Sequence, residues 1–234
     1  MTELVVSNLC KSFSSSRVLD EIHFVLNTGD ILGLIGPNGS GKTTLMESVA
    51  GLLPYDVGQI MWDNQPLSHA ARRNLLYYMP ESTLPYGDQS VRSVVGFFAA
   101  LYAPASTHLN LILRHLELES VFSKRVKTLS KGFRRRFLIA IALLSPCPIL
   151  FLDEPFDGLD LKQTISLMDL LKKVRDAGKT FLLAIHQLSD AERVCDRLVL
   201  LSGGKTIANG NMGDLRQRAG LPSGRLEEVF LALT

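Results

Sequence analysis

Runs of β-forming residues alternate with helical hydrophobic spacing along most of the chain. Residues 3–9 and 18–26 are rich in β-formers and predict two strands, with the serine cluster Ser14–Ser16 as a loop between them. The apolar run 31–35 predicts a buried strand, and the helix expected after it ends near Gly51. Shorter strands are predicted within residues 58–65 and at residues 75–79.

A second series of strands and helices occupies the C-terminal part of the chain. The pattern predicts, in order, a strand at 149–152, a helix at 160–176, a strand at 180–185, a helix at 188–194, strands at 197–202 and 205–209, and a closing amphipathic helix at 226–233. Strands that alternate with helices favour a largely parallel sheet, with the functional site at the carboxyl ends of its strands.

The segment from residue 85 to about 145 has helical hydrophobic spacing instead. Its apolar positions are Val91, Val94, Val95, Phe98 and Leu101, then Leu109, Ile112, Leu113 and Leu116. We interpret this segment, 85–145, as a helical subdomain inserted between two core strands. The chain 1–234 is then a single domain in which residues 1–84 and 146–234 form an α/β core with an N-terminal β subdomain.

The residues that follow the strand at 31–35 have the spacing of a phosphate-binding loop. They read Gly36-Pro37-Asn38-Gly39-Ser40-Gly41-Lys42-Thr43-Thr44 and match G-x-x-x-x-G-K-[ST] between a strand and a helix. Glycines allow successive backbone N–H groups to point at an anion near the helix N-terminus. Lys42 can reach the terminal phosphates and Thr43 can ligate Mg²⁺. The loop indicates a nucleoside triphosphate, but not the use made of its energy.

Composition and charge narrow the class of protein. With 46% hydrophobic and 21% charged residues the 234-residue chain is expected to be globular, and its net charge of +2 is too small to argue for nucleic acid. Three dispersed cysteines, Cys10, Cys147 and Cys195, fit a reducing compartment and packing as small apolar residues. The first residues lack a signal-peptide pattern, and two prolines split the uncharged run 137–152, so we expect a protein that is soluble by itself.

Two adjacent carboxylates end the apolar strand at 149–152. A parallel sheet would place Asp153 and Glu154 where the phosphate loop opens. Asp153 would hold Mg²⁺ through its water shell, and Glu154 would polarise the water that attacks the γ-phosphate. The alternative is a buried strand that runs into an acidic turn, and the glycine loop weighs against it.

A second helix start lies at Leu129-Ser130-Lys131-Gly132-Phe133. Ser130 suits an N-cap, and with Gly132 beside it the helix N-terminus is able to bind phosphate. Taken alone, the segment fits better a capped amphipathic helix with a solvated arginine face. The order of all motifs favours the first interpretation: glycine loop, helical insert, this helix start, Asp153-Glu154, Gly158-Leu159-Asp160 and Ile185-His186.

In that order the motifs resemble the ATPase subunit of ATP-binding cassette (ABC) transporters over nearly the whole chain. The resemblance implies a P-loop NTPase (RecA-like) core, and ATP and Mg²⁺ as ligands. It assigns nucleotide binding to Gly36, Pro37, Asn38, Gly39, Ser40, Gly41, Lys42, Thr43 and Thr44 (Walker A), and adenine stacking to Phe13, for which a core position is the alternative. It assigns Walker B to Ile149–Asp153, catalysis to Glu154, His186 and Lys42, and the metal to Thr43, Asp153 and Glu81.

The resemblance also implies a head-to-tail dimer. Each ATP would lie between the glycine loop of one subunit and the signature residues Ser130, Lys131 and Gly132 of the other, with the D-loop and its Asp160 alongside. A second helix N-terminus would complete the anion cage that one phosphate loop leaves half open. His186 would contact the γ-phosphate and hold the water in place.

Three positions depart from the commoner family pattern. Glu81 stands where a glutamine is usual, and we expect it to be tolerated because Mg²⁺ is its closest charge. Lys131 and Phe133 replace a glycine and a glutamine of the signature, and Lys131 would add charge near the partner's nucleotide or point to solvent. These changes and the tail Leu226–Leu231 are similar to the type-2 exporter group, whose ATPase works with a separate membrane subunit.

The motifs and the resemblance thus predict an ATP-hydrolysing subunit of an exporter that binds an integral-membrane permease on the cytoplasmic face. A homodimer is expected, and no nucleic-acid partner. The segment Ser82–Gly87 is the expected contact loop, whereas Tyr86, Phe97, Phe98, Leu101 and Tyr102 are expected mostly in the core of the insert. A soluble ABC ATPase that acts on ribosomes or DNA, and a phosphate-loop kinase, are the alternatives. The first usually has two cassettes, long arms or coiled coils, and the sequence shows none of these. The second would need a lid and an acceptor site instead of the signature and the Asp153-Glu154 pair.

Overall fold

A computed structural model of the chain describes residues 3–83 and 86–234. The strands are β1 (Glu3–Phe13), β2 (Ser16–Asn27), β3 (Ile31–Ile35), β4 (Val57–Trp62), β5 (Gln65–Pro66), β6 (Leu76–Met79), β7 (Ile149–Asp153), β8 (Thr180–Ile185), β9 (Arg197–Ser202) and β10 (Lys205–Gly210). The α-helices are α1 (Lys42–Ala50), α2 (His69–Leu75), α3 (Val91–Tyr102), α4 (Ser106–His115), α5 (Lys131–Leu144), α6 (Leu161–Asp176), α7 (Leu188–Val194), α8 (Met212–Ala219) and α9 (Leu226–Leu233).

Six strands form the central sheet in the order β10-β9-β3-β8-β7-β6. All neighbours are parallel except β9 and β10, which form an antiparallel pair. In this register Ile35 lies opposite Ile185, and Asp153 lies opposite Ala184. The carboxyl ends of β3, β7 and β8 therefore meet at one edge, and this edge carries the glycine loop, the two carboxylates and His186.

The two faces of the central sheet pack against different layers, because successive strand residues point to opposite sides. On one face Leu150 and Leu152 join a large core with α5 and α6. On the other face Phe151 and Leu34 join a core with α1 and a second, antiparallel sheet ordered β2-β1-β4-β5. The predicted fold class, an α/β core with an antiparallel β subdomain and a helical insert, is confirmed.

Most predicted elements are present within a residue or two, and two helices were missed. The helices α2 and α8 each bury a single side chain, Arg72 and Leu215 respectively, so no apolar period marks them. Strands β1 and β2 run further than predicted and reach a tight turn at Ser14 and Ser15, so Ser16 is in a strand and not in the loop. The division of the chain at residues 84/85 and 145/146 stays a prediction.

The side chains of Cys10 and Cys147 are buried, and none of the three cysteines forms a disulfide. Burial raises the pKa of the Cys195 thiol well above its ordinary value. Among the described residues no helix is both long enough and apolar enough to cross a membrane.

Candidate nucleotide site

The phosphate-binding loop lies between β3 and α1 and is held by its own lysine. Lys42 is buried, and its Nζ donates hydrogen bonds to the carbonyls of Gly36 (2.7 Å) and Pro37 (3.2 Å). Gly41 precedes α1 at φ 98°, and no side chain caps the helix. The first N–H groups of α1 are therefore left for an anion, which the positive end of the helix favours.

Glycine is required at Gly36 for reasons of space. A Cβ there would lie 2.5 Å from the backbone oxygen of Leu201 and 2.6 Å from Ser40 Oγ. The same Ser40 Oγ is buried and has no hydrogen-bond partner among the described residues. A buried hydroxyl without a partner is costly, and it is suited to accept or donate to a ligand in the loop.

Asp153 receives hydrogen bonds from two neighbouring elements. Thr43 Oγ1 donates to Asp153 Oδ2 at 2.8 Å, and the Tyr78 hydroxyl donates to the same oxygen at 3.4 Å. Burial raises the pKa of Asp153, and the charge of Glu81 adds to this, against the opposing effect of the hydrogen bonds. Tyr78 was missed by sequence reasoning, because only the pairing of β6 with β7 brings it to this carboxylate.

Glu154 and His186 form a hydrogen-bonded pair beside the loop. His186 Nδ1 lies 2.5 Å from Glu154 Oε2. Glu154 has a φ of 50°, uncommon for a residue with a side chain, and its N–H is bonded to the carbonyl of Ala184 at 3.0 Å. Burial raises the pKa of Glu154, and the hydrogen bond from His186 opposes this shift.

Most of the predicted nucleotide and metal residues line one cleft of about 320 Å³. Its lining includes Asn38, Gly39, Gly41, Lys42, Thr43, Thr44, Glu81, Asp153 and Glu154. His186 lies with Gly36, Pro37 and Asn38 around an adjoining cleft that Phe230 of α9 also lines. The sheet thus assembles residues from four separate segments of the chain.

Phe13 and the signature residues lie outside the lining of the 320 Å³ cleft. The Phe13 side chain is 46% exposed with the Lys11 ammonium 5.2 Å from its ring centroid, so the alternative of a core position is wrong. Ser130 caps α5 by accepting from the Phe133 N–H at 3.4 Å. Asp160 caps α6 in a capping box with Gln163. Within one subunit, the signature residues therefore do not line the cleft of the phosphate-binding loop.

Two expectations about α5 are corrected. Arg135 and Arg136 are buried, so the alternative of a solvated arginine face is wrong for them. Arg136 Nη1 donates to Glu117 Oε2 at 2.8 Å, and Arg135 Nη1 donates to the Asp153 carbonyl at 3.2 Å. Lys131 does not simply point to solvent, because its Nζ pairs with Asp157 of the same chain at 2.7 Å.

The donor set fits Mg²⁺ bound together with phosphates. Among the described residues no cluster of three or more His, Cys, Asp or Glu side chains could hold a metal by protein ligands alone. Magnesium commonly takes only one or two carboxylates, with phosphate oxygens and waters completing its shell. The Thr43 hydroxyl and the buried Asp153 carboxylate, which lie 2.8 Å apart in this cleft, have the chemistry of such ligands.

The fold and the cleft define a P-loop nucleotide-binding protein with a helical insert. A model of the ABC transporter family matches residues 19–157. The chain is 31% identical over 226 residues to the lipopolysaccharide export system ATP-binding protein LptB of Escherichia coli (strain K12), covering 93% of this chain and 94% of that protein. It belongs to the ABC transporter family and is an ABC transporter ATPase.

Two further likenesses agree with this family. A solved ATP-binding subunit of an ABC transporter superposes with a TM-score of 0.87 at 30% identity, covering 98% of each chain. The chelated iron transport system membrane protein YfeB of Yersinia pestis is 30% identical over 211 residues, covering 86% of this chain and 71% of that protein. Relatives therefore serve more than one kind of transport system, and the family alone does not set the direction of transport.

Proposed function

We propose that this chain hydrolyses Mg²⁺-ATP to drive an exporter through a separate integral-membrane permease. The observation that carries the reaction is the convergence of Lys42, Thr43, Asp153 and Glu154 on one cleft. Two segments that are more than 100 residues apart in sequence supply an anion loop, candidate metal ligands and a carboxylate base at the same place. A phosphate-loop kinase would need an acceptor site there instead.

Nucleotide binding is proposed for the loop Gly36–Thr44. Its N–H groups and Lys42 hold the phosphates, and Phe13 offers an exposed aromatic face to the adenine. Thr43 and Asp153 would hold the metal, and Glu81, which follows β6 and lines the same cleft, would be a further ligand. When bound, Mg²⁺ offsets the phosphate charge and supplies Lewis-acid stabilisation to the transferred group.

Hydrolysis is proposed to use Glu154 as the general base. Its carboxylate takes a proton from the attacking water, and a pKa raised by burial brings it nearer to the operating pH. His186 positions this carboxylate through the 2.5 Å bond and contacts the γ-phosphate when a nucleotide is bound. Lys42 stabilises the charge that develops on the phosphate oxygens.

A head-to-tail dimer is proposed to complete each site. Ser130, Lys131 and Gly132 lie outside their own chain's nucleotide cleft, while the exposed start of α5 remains available to a second copy. Binding of ATP between the two copies would close the dimer, with Asp160 of the D-loop at the interface. Hydrolysis would reopen it, most simply in a homodimer, since one chain carries both half-sites.

The permease is proposed to dock on the helical insert, at the inner face of the cell membrane. The side chains of Tyr86, Phe97 and Leu101 are exposed, so the expectation of a core position is wrong for these three, whereas Phe98 is buried as expected. Within the predicted contact loop Ser82–Gly87, Leu84 and Pro85 lie outside the described residues. A net charge of +2 supports a protein partner over nucleic acid.

The test compares ATP hydrolysis by the purified chain with and without the membrane protein encoded beside it. We expect Mg²⁺-dependent hydrolysis that the membrane protein changes, and co-purification of the two from detergent-solubilised membranes. An active chain that instead co-purifies with ribosomes or DNA would favour the soluble ABC ATPase. The direction of transport is tested in inverted membrane vesicles, whose cytoplasmic face is on the outside. Accumulation of cargo inside the vesicles when ATP is added supports export.

A further inference from the structure

A small charge cluster joins the start of α5 to the loop 154–160 of the same chain. Lys131 Nζ lies 2.7 Å from Asp157 Oδ2, and Arg135 Nη2 lies 3.8 Å from the same oxygen. Arg135 Nη1 also donates to the carbonyl of Asp153 at 3.2 Å. Two cations one helical turn apart on α5 therefore contact the residues on either side of Glu154, namely Asp153 and Asp157.

The backbones of the two segments are also in contact. A Cβ on Gly132 would lie 2.7 Å from the Gly158 carbonyl oxygen, and a Cβ on Gly158 would lie 2.9 Å from Lys131 Cγ. Gly158 has a φ of 78° as well. The aliphatic part of Lys131 therefore covers Gly158 while its ammonium reaches Asp157, so this one side chain contacts the loop at two successive residues.

Electrostatics favour the pair within the chain. The hydrogen bond from Lys131 is the largest cause of the lowered pKa of Asp157, and the charges of Lys131 and Arg135 add to it. Asp157 is thus ionised at neutral pH and keeps Lys131 directed at its own subunit. The Lys131 side chain is 69% exposed, but its ammonium is paired with Asp157 and is not free in bulk solvent.

We propose that Lys131 is a positioning residue, whose pair with Asp157 makes the signature segment and the loop 154–160 of one subunit move as a unit. The inference rests on the proposed function, because the signature segment faces a nucleotide only in the dimer. When Ser130–Gly132 closes on the ATP of the partner, the motion passes through Asp157 to Glu154, which serves the subunit's own ATP. The pair thereby links the two nucleotide sites.

A double-mutant cycle on the full chain tests this link. Lys131→Met, Asp157→Asn and the double variant are compared for kcat, KM and the Hill coefficient for ATP, with Mg²⁺ saturating. We expect Lys131→Met to lower kcat by about two- to fivefold, the range given by a partly exposed ion pair. The Hill coefficient should fall with it, and KM should change little.

Non-additivity identifies the partner of the lysine. In the Asp157→Asn background, Lys131→Met should cause no further change in kcat. In the otherwise wild-type chain, Lys131→Arg should keep the activity that Lys131→Met loses. An equal loss from Lys131→Met in both backgrounds would show that the lysine acts independently of Asp157, and the proposal would then be overturned. A kcat loss that 0.5 M salt does not reduce would count against it too, because salt screens exposed pairs.

Lys205 provides a matched control. It pairs with Asp20 at 3.1 Å, with side-chain exposures of 64% and 21%, against 69% and 25% for Lys131 and Asp157. Like Asp157, Asp20 has a second cation, Arg17, at 2.7 Å. Lys205→Met should leave kcat and the Hill coefficient unchanged. If Lys205→Met lowered kcat as much as Lys131→Met does, the effect of Lys131 would be one of general stability, and the proposal would be overturned.

The same assays separate this inference from the proposed function. Wild-type hydrolysis that is lost in Glu154→Gln establishes the reaction whatever happens at Lys131. An inactive wild type overturns the proposed function. An active wild type with an additive cycle overturns the inference alone.

Discussion

His186 Nδ1 is hydrogen-bonded to Glu154 Oε2 at 2.5 Å, across the carboxyl ends of β8 and β7. An ionised carboxylate only accepts, so Nδ1 is the donor and Nε2 is the ring nitrogen left for another partner. Glu154 has a φ of 50°, and its side chain lines the nucleotide cleft. The hydrogen bond with His186 therefore orients the candidate base at the end of β7.

The first prediction concerns Glu154→Gln. The amide keeps the shape of the side chain but cannot accept a proton, so we expect kcat to fall by about 100-fold or more. ATP should still bind, and size-exclusion chromatography with light scattering should show an ATP-dependent dimer. Since burial raises the pKa of Glu154, wild-type kcat should also decline as the pH falls towards that pKa. A variant that stays monomeric with ATP would contradict the dimer model.

A second prediction concerns the metal and Glu81. Replacement by glutamine removes a charge near the metal ligands, so Glu81→Gln should raise the Mg²⁺ concentration for half-maximal hydrolysis by about three- to tenfold, equivalent to ~0.6–1.4 kcal/mol. Glu119→Gln is the control, because Glu119 is an exposed carboxylate in the insert. An unchanged Mg²⁺ dependence in Glu81→Gln would show that Glu81 is not near the metal.

A third prediction concerns stability and Asp153. Its pKa is raised above 3.8, chiefly by burial, so its stabilising contribution is present below that value and is lost as pH rises through the raised pKa. Asp153→Asn keeps an acceptor for Thr43 without the buried charge. In metal-free buffer at neutral pH we expect the variant to have a Tm higher by about 2–4 °C, as ~1 kcal/mol produces in a chain of this size.

Thermal melts between pH 3.5 and pH 8 check the sign of this effect. The advantage of Asp153→Asn should shrink towards zero at the acid end, where Asp153 is protonated in the wild type. It should also shrink when Mg²⁺ and ATP are added, because only the wild type gains a full metal ligand. A variant that melts below the wild type at pH 8 would refute this account.

The fourth prediction compares two helical glycines. Alanine at Gly96 in α3 meets nothing within 4 Å, and it should stabilise the chain by about 1 kcal/mol through helix propensity. At Gly132 the same methyl group would lie 2.7 Å from the Gly158 carbonyl. Gly132→Ala should therefore lack this gain and lower kcat by about 10- to 100-fold, through misplacement of the signature segment. Equal effects of the two substitutions would contradict the close contact.

The fifth prediction concerns the proposed permease surface. Phe97→Glu places a charge on an exposed aromatic position of α3, so it should reduce co-purification of the membrane protein by about tenfold, as ~1.4 kcal/mol produces. Leu52→Glu is the control at another exposed apolar position, in the loop after α1. Tm values should match the wild type for both. Equal retention of the membrane protein by the two variants would exclude Phe97 from the contact.

Local patterns were sufficient for most elements. The buried strands β3 and β7 were readable because runs of four or five apolar residues predict strands buried on both faces. The two prolines that split the uncharged run 137–152 follow the end of α5 at Leu144, because proline cannot continue a helix. The helices α2 and α8 were not predicted, since each buries only one side chain and so shows no apolar period.

The candidate site divides in the same way between local and non-local information. The glycine loop, Asp153-Glu154 and the cap at Ser130 follow from residues adjacent in the chain. Tyr78, Arg135 and Asp157 escaped notice because their contacts cross between elements. An arginine run is usually solvated, and only the packing of α5 against β7 buries Arg135 and brings it to the carbonyl of Asp153.

The sequence by itself determined that the chain carries a phosphate-binding loop, a carboxylate pair and a capped helix start, because each is a short motif with its own backbone requirement. Only the tertiary structure decided which of them share a cleft. It placed the glycine loop, Asp153 and Glu154 together, directed Lys131 to Asp157, and left Phe97 exposed. The physical reason is that hydrogen bonds and charge pairs need contact within about 3–4 Å, and the strand order of the sheet sets those contacts.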